Sequence, residues 1–87
     1  MCIRDRLLQN TPNPFAQHTV IPFTLSKRDL VKLMVITTSG KVLWEIEQEF
    51  DKGYHEIPVN DINTSGVLYY RIRTGAKIAS KKMIRLE

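Results

Sequence analysis

Apolar side chains occupy every second position in several stretches of this chain, and that spacing predicts β-strands with one buried face. The alternation is clearest in residues 66–73, where the two faces separate: Leu68, Tyr70 and Ile72 on one, and Tyr69, Arg71 and Arg73 on the other. Further strands are predicted for residues 19–25, 30–37, 41–50 and 54–59, and for the segment after the Thr74-Gly75 turn. No stretch repeats its apolar residues at the spacing of a helix.

Turn-forming residues separate these strands at intervals of roughly 8–12 residues, which indicates two packed antiparallel sheets. The predicted fold class is all-β, a small immunoglobulin- or fibronectin-like β-sandwich of about six to seven antiparallel strands. Pro22 cannot donate a ladder hydrogen bond, so residues 19–25 are predicted to form an edge strand. Residues 30–37 are apolar at both parities, which predicts a central strand covered on both faces. The last strand changes parity at Met83, and a bulge near Lys81-Lys82 would reconcile that change.

The segment before these strands is rich in proline and is predicted to be a rigid lead-in. Its two prolines restrict the backbone, and Asn13 between them can turn its side chain back to the backbone two residues on. Phe15 is then directed into the core as an aromatic anchor. Residues 1–6 carry no pattern that joins them to the rest, so they are interpreted as a non-native or linker start before a domain of residues 7–87.

Composition and charge narrow the class of protein. The chain has 87 residues, room for one domain, and with 43% hydrophobic and 25% charged residues it is not disordered. Its single cysteine, Cys2, excludes an internal disulfide. The sequence contains neither a signal peptide nor an apolar run of the roughly 18–20 residues that a membrane helix needs. The net charge of +4 is concentrated in residues 66–87, which hold six Lys or Arg and one acidic residue.

Three glutamates alternate along one predicted strand and raise the question of a metal site. Glu45, Glu47 and Glu49 would stand about 7 Å apart and point in parallel. Hard cations need oxygens that converge at about 2.0–2.6 Å from the ion. Neither a metal nor another cofactor is therefore expected. We expect the glutamates to form a charged outer face opposite Arg71 or Arg73.

The remaining candidates for chemistry are two histidines and a pair of aromatic residues. His18 and His55 have no nucleophile at a suitable spacing, and Glu56 would point to the face opposite His55, so an enzyme is not expected. Trp44 and Tyr69 would form a carbohydrate platform only if both were exposed together. The positive charge has no RNA-binding signature beside it, and nucleic acid is not an expected partner.

Five short motifs follow one another along the chain. They are Gln9-Asn10-Thr11-Pro12-Asn13-Pro14-Phe15, Gly40-Lys41-Val42-Leu43, Gly53-Tyr54-His55, Ser65-Gly66-Val67-Leu68-Tyr69-Tyr70-Arg71-Ile72 and Lys81-Lys82-Met83-Ile84. In this order they resemble the C-terminal sorting domain, type A, of cargo proteins of the type IX secretion system of Gram-negative bacteria. The resemblance runs from Leu7 to Glu87. Leu68 departs from the family's tyrosine, and either Ile62 or Asn63 takes the place of a loop leucine.

The resemblance implies an export signal at the end of a larger cargo protein. Such domains are read by the outer-membrane translocon after passage through the periplasm and are removed by a sortase-like peptidase, so that the cargo is secreted or displayed at the cell surface. The residues expected to contact the translocon belong to the terminal hairpin: Gly66, Val67, Tyr69, Arg71, Lys81, Lys82 and Arg85. The residues expected to be structural are Asn13, Pro14, Phe15, Gly40, Gly53 and His55.

A physical mechanism can be stated beside the resemblance. A terminal hairpin with an unpaired edge can be captured by strand addition, and its cations can steer it to an acidic receptor. The alternative function is an immunoglobulin-like adhesion or carbohydrate-binding module of the cell surface, and a structural spacer without a partner is a third.

Overall fold

Seven β-strands form the part of the chain that the computed structural model describes, residues 6–60, 62–75 and 77–86. They are β1 (Arg6–Leu7), β2 (His18–Leu25), β3 (Asp29–Thr37), β4 (Val42–Phe50), β5 (Gly53–Asn60), β6 (Gly66–Arg73) and β7 (Ile78–Arg85). One sheet has the strand order β1-β2-β5 and the other β4-β3-β6-β7, with every strand pair antiparallel. The predicted all-β sandwich is confirmed. Within the described residues, no helix is long and apolar enough to cross a membrane.

The core lies between the two sheets and is built from the alternating residues of each inner face. In β6 the predicted alternation is confirmed, because Leu68, Tyr70 and Ile72 are buried while Tyr69 is exposed. Strands β2 and β3 contribute in the same way: Ile21, Phe23, Leu25, Val31, Leu33 and Val35. Phe15 is 1% exposed and joins this core, as predicted for the anchor of the lead-in. A one-residue shift of any of these strands would exchange its faces, so burial fixes the register.

Strand β2 is not an edge strand, because it lies between β1 and β5. The prediction was wrong for a local reason at the lead-in segment, residues 8–15. Leu8 donates its N–H to the Pro22 carbonyl at 3.0 Å. The Leu8 carbonyl would need the N–H that proline lacks, and it accepts the Tyr70 hydroxyl at 2.7 Å instead. A side chain of the opposite sheet thus replaces the missing ladder donor and lets proline occupy a middle strand.

Strand β3 is central in its sheet, as predicted, but only one of its faces is covered. Val31, Leu33 and Val35 are fully buried against the other sheet, whereas Leu30 on the outer face is 50% exposed. The prediction of two covered faces was therefore wrong. The sandwich has two layers, and in the described residues no third layer packs on this outer face.

Strand β7 has no bulge near Lys81-Lys82, since its pairing with β6 is continuous; the irregular register lies between β3 and β4. Met83 is fully buried opposite Leu68. Ile78 has the other parity and is 65% exposed on the outer face. The change of parity in the sequence reflects apolar residues on an exposed face, so no bulge is needed to explain it.

Candidate recognition surface

The hairpin β6–β7 carries all seven residues that the sequence predicts to contact a translocon. Its pairing runs from Gly66 opposite Arg85 to Arg73 opposite Ile78. Because side chains alternate along a strand, these residues divide between two faces. Val67, Tyr69, Arg71 and Lys82 lie on the outer face of the four-stranded sheet, and Gly66, Lys81 and Arg85 have the parity of the inner face. The structure brings the first four together and separates them from the other three.

Lys81 and Lys82 therefore do not form one cationic cluster. Lys82 lies beside Tyr69 on the outer face. Lys81 has the opposite parity, and its side chain is also exposed. Arg85 is half-buried, and its Nε atom is buried without a hydrogen-bond partner. A receptor that covers one face of the hairpin would meet one of the two lysines, not both.

The lead-in segment lies along the outer edge of β7. Phe15 donates its N–H to the Ile84 carbonyl at 3.0 Å and accepts the Leu86 N–H at 2.7 Å. Gln9 Nε2 donates to the Lys82 carbonyl at 3.1 Å. The edge is thus occupied from Lys82 to Leu86, and the expectation of an unpaired terminal edge was wrong for this part of β7. The lead-in segment shields these backbone groups from strand addition.

Asn13 contributes to the same edge, and the local turn predicted for it is wrong. Its Oδ1 accepts the N–H of Ile84 at 3.0 Å, a contact between residues 71 positions apart. The N–H of Ile84 points away from β6 and needs an acceptor, which explains why the side chain reaches across to β7. Pro14, next to it, is exposed.

Tyr70 anchors the lead-in segment from the core side. Its side chain is fully buried, and its hydroxyl donates to the Leu8 carbonyl at 2.7 Å and accepts the Asn10 N–H at 2.9 Å. Asn10 is also buried, and its Nδ2 donates to Thr19 Oγ1 at 3.0 Å. Burial raises the pKa of Tyr70, against the smaller opposing effect of the Asn10 N–H. This buried polar network joins the lead-in segment to both sheets.

Sequence reasoning does not find this network. In the sequence, Asn10 stands out only as part of a motif and Thr19 only as the start of a predicted strand. The one available signal is that Tyr70 faces the core, because a buried tyrosine hydroxyl needs a partner. That requirement does not identify the partner, since the groups that satisfy it lie 60 and 62 positions away.

The remaining structural residues lie outside the hairpin. Gly40, in the turn between β3 and β4, has a φ of +93°, and Gly53 at the start of β5 has a φ of +121°, both in the region that favours glycine. The His55 ring packs against both Phe23 and Phe50, with ring centroids 5.5 and 5.0 Å away. Its Nε2 is 2.6 Å from a backbone carbonyl oxygen. All three positions shape turns or fill the end of the sandwich.

The glutamates of β4 line the outer face, but their neighbours are not the expected arginines. Glu45 and Glu47 lie opposite residues of β3, and Lys32 of that strand lies 3.8 Å from Glu45. Arg71 and Arg73 are one strand further across the sheet. The predicted direct opposition was wrong because β3 separates the acidic strand from the basic one. Among the described residues, no group of three or more His, Cys, Asp or Glu is arranged to hold a metal ion.

The aromatic platform considered for a carbohydrate does not form. Trp44 lies opposite Val35 on the inner face and packs against the core. Tyr69 is 37% exposed on the outer face. The two rings are therefore on opposite sides of one sheet and cannot contact a common sugar.

Comparisons with known proteins return no match, whether the chain is scanned against protein-family models or searched against curated proteins and solved structures.

Proposed function

We propose that this chain is a C-terminal sorting domain that directs a larger cargo protein through the type IX secretion system. The observation that carries the proposal is how the motifs meet in space. The first and last motifs are hydrogen-bonded between residues 71 and 73 positions apart, Asn13 with Ile84 and Gln9 with Lys82. The fourth motif supplies Tyr70, whose hydroxyl holds the first. Three of the five motifs that carry the resemblance thus form one hydrogen-bonded unit around the terminal hairpin.

In this proposal the translocon contacts side chains of the folded hairpin. The lead-in segment occupies the β7 edge from Lys82 to Leu86, which leaves the side chains rather than the backbone of this part as the recognition feature. The excess of cations in residues 66–87 would steer the hairpin to an acidic receptor surface. The domain would act as a signal without catalysis of its own, and a sortase-like peptidase would then release the cargo or leave it at the cell surface.

The test is export of a fluorescent protein carried to the periplasm, with this chain fused to its C-terminus, in a bacterium that has a type IX system. Removal of residues 81–87 is a poor test, because it deletes the buried Met83. Reversal of two exposed charges, Lys81→Glu with Lys82→Glu, leaves the core intact. We expect this variant to fold and to remain in the periplasm.

The matched control reverses the same number of charges elsewhere. Lys27→Glu with Lys52→Glu changes two exposed lysines in the turns that connect the two sheets, and we expect it to be exported normally. The single variants Lys81→Glu and Lys82→Glu then show which face of the hairpin is recognised, because these two side chains point in opposite directions. Normal export of the folded Lys81/Lys82 double variant would refute recognition through these cations. Retention of the unmodified fusion would refute the sorting function itself.

A further inference from the structure

Exposed apolar side chains are concentrated on the outer face of the four-stranded sheet. In the described part of the chain, five of the seven large exposed hydrophobic residues lie on this face: Leu30, Val42, Val67, Tyr69 and Ile78. Val42 and Tyr69 lie in one row at one end of the face, and Leu30 and Ile78 lie toward the other end, so exposed apolar side chains flank the charged residues between them. The hairpin recognition proposed above uses only the β6–β7 side of this face, which leaves the β4–β3 side unexplained.

Charges on the same face are sorted by strand. The pairing of β4 with β3 and of β3 with β6 aligns three rows of outward-facing residues: Val42–Ile36–Tyr69, Glu45–Met34–Arg71 and Glu47–Lys32–Arg73. Strand β4 therefore presents an acidic column and β6 a basic column, with the mostly apolar outer face of β3 between them. An acidic polymer or a basic polymer would match only one of the two columns.

A second copy of the chain matches both columns. A two-fold axis parallel to β3, passing just above its outer face, places β4 of each copy over β6 of the other. Glu45 then faces the second copy's Arg71, and Glu47 faces its Arg73. Val42 faces Tyr69, an apolar side chain against an aromatic ring. Interfaces built on a two-fold axis require this kind of self-complementarity.

We infer that this outer face binds a second copy of the chain in a symmetric dimer held by two sets of acid–base contacts around an apolar centre. Met34 lies on the axis and contacts its own equivalent. Lys32 is also near the axis, and its ammonium lies within 3.8 Å of Glu45, which partly neutralises it. Opposite charges aligned in this way fix the relative position of the two copies and exclude a shifted pairing.

The size of the surface sets the strength of the contact. Neighbouring strands are about 4.8 Å apart, and same-face residues about 6.8 Å apart, so three rows on three strands cover roughly 300 Å² in plan. Stable interfaces bury about 800 Å² on each partner. The dimer is therefore weak and forms only at high chain concentration, and salt weakens it further because its charges are at the surface.

A charge-swap experiment tests the dimer by sedimentation velocity, at low ionic strength and up to millimolar chain. One variant carries Glu45→Lys with Glu47→Lys, and the other Arg71→Glu with Arg73→Glu. Each alone brings like charges together, and we expect at least a tenfold weaker self-association than for the unmodified chain. An equimolar mixture of the two restores opposite charges at both contacts, and we expect association to return. Lys27→Glu with Lys52→Glu is the control and should associate like the unmodified chain.

Three outcomes would overturn the inference: an unmodified chain that stays monomeric at millimolar concentration, self-association that survives in both charge-reversed variants, or a mixture of folded variants that does not associate. Circular dichroism establishes the folding of each variant.

A second measurement needs no variant. On dilution of the unmodified chain, the NMR signals of Met34 and Ile36 should shift while those of Tyr54, on the other sheet, do not; unchanged Met34 and Ile36 signals contradict the dimer.

Discussion

Replacement of Tyr70 by phenylalanine removes a single oxygen atom from the place where the lead-in segment meets both sheets. The ring stays in the core, so the change creates almost no cavity. What it removes are two hydrogen bonds, to the Leu8 carbonyl at 2.7 Å and from the Asn10 N–H at 2.9 Å. Pro22 cannot satisfy the Leu8 carbonyl because it has no N–H, and Asn10 is fully buried. Both backbone groups lose their partner.

A buried polar group left without a partner costs about 1–3 kcal/mol. Leu8 is only half-buried, so its carbonyl falls at the low end of that range, and the two groups together cost about 2–4 kcal/mol. A chain of this length has a total stability of about 4–13 kcal/mol. The substitution should therefore remove a large share of this stability and lower the melting temperature by at least about 8 °C.

Urea unfolding of Tyr70→Phe measures this loss, and Tyr54→Phe is the matched control. The Tyr54 side chain is 56% exposed, and its hydroxyl donates to the exposed Glu56 at 3.0 Å. We expect the control to change stability by less than about 0.5 kcal/mol. Hydrogen exchange should also speed up at the Ile84 and Leu86 amides, which the lead-in segment holds. A Tyr70→Phe variant within about 0.5 kcal/mol of the unmodified chain would refute the role assigned to the hydroxyl.

Three further predictions follow from the same structure. Burial raises the pKa of Tyr70 in the folded chain, so the unfolded chain loses the Tyr70 proton at a lower pH, near 10. The stability that this group contributes is fully present below that pH and falls as the pH rises above it. The urea midpoint of the unmodified chain should therefore fall between pH 9 and 11, and Tyr70→Phe should make that fall smaller. Phe15→Ala empties a core position that is 1% exposed and should cost about 3–5 kcal/mol in urea unfolding, less if the surroundings collapse into the space. Gly66→Ala forces a side chain onto a φ of +98°, and thermal unfolding should show a loss of about 1–3 kcal/mol, whereas Gly75→Ala, without a positive φ, should lose less.

The predictions from sequence were confirmed where the residue pattern of a single segment is enough to decide which side chains are buried. The alternation of Leu68, Tyr70 and Ile72 with exposed neighbours is a property of the extended backbone, and it needs no knowledge of the partner strands. The same applies to Phe15 as a core residue. For the candidate recognition surface, the sequence predicted a set of residues in the terminal hairpin but not how they divide between its two faces. The structure divides it, because Lys81 and Lys82 lie in one strand at adjacent positions and point to opposite faces.

The predictions failed where two distant segments decide the outcome together. Pro22 was placed at an edge because proline lacks a donor, but the acceptor that this leaves unpaired is satisfied by a tyrosine of the other sheet. Asn13 was given a local turn, but its acceptor oxygen binds an edge N–H of β7. The glutamates of β4 were placed opposite arginines from which β3 separates them. In each case the sequence identified the hydrogen-bonding or charge property of the residue correctly, but it did not identify the residue that the structure places beside it.

The sequence by itself determined the strand class, the inward face of each well-patterned strand and the basic character of the terminal hairpin, because these depend on the spacing and type of side chains along an extended chain. Only the tertiary structure decided the strand order, the closure of the β7 edge by the lead-in segment and the acidic and basic columns on the outer face. Those features depend on which backbone groups and side chains from distant segments come within hydrogen-bonding distance. Alternation along a single strand specifies a face but carries no information about the strand beside it.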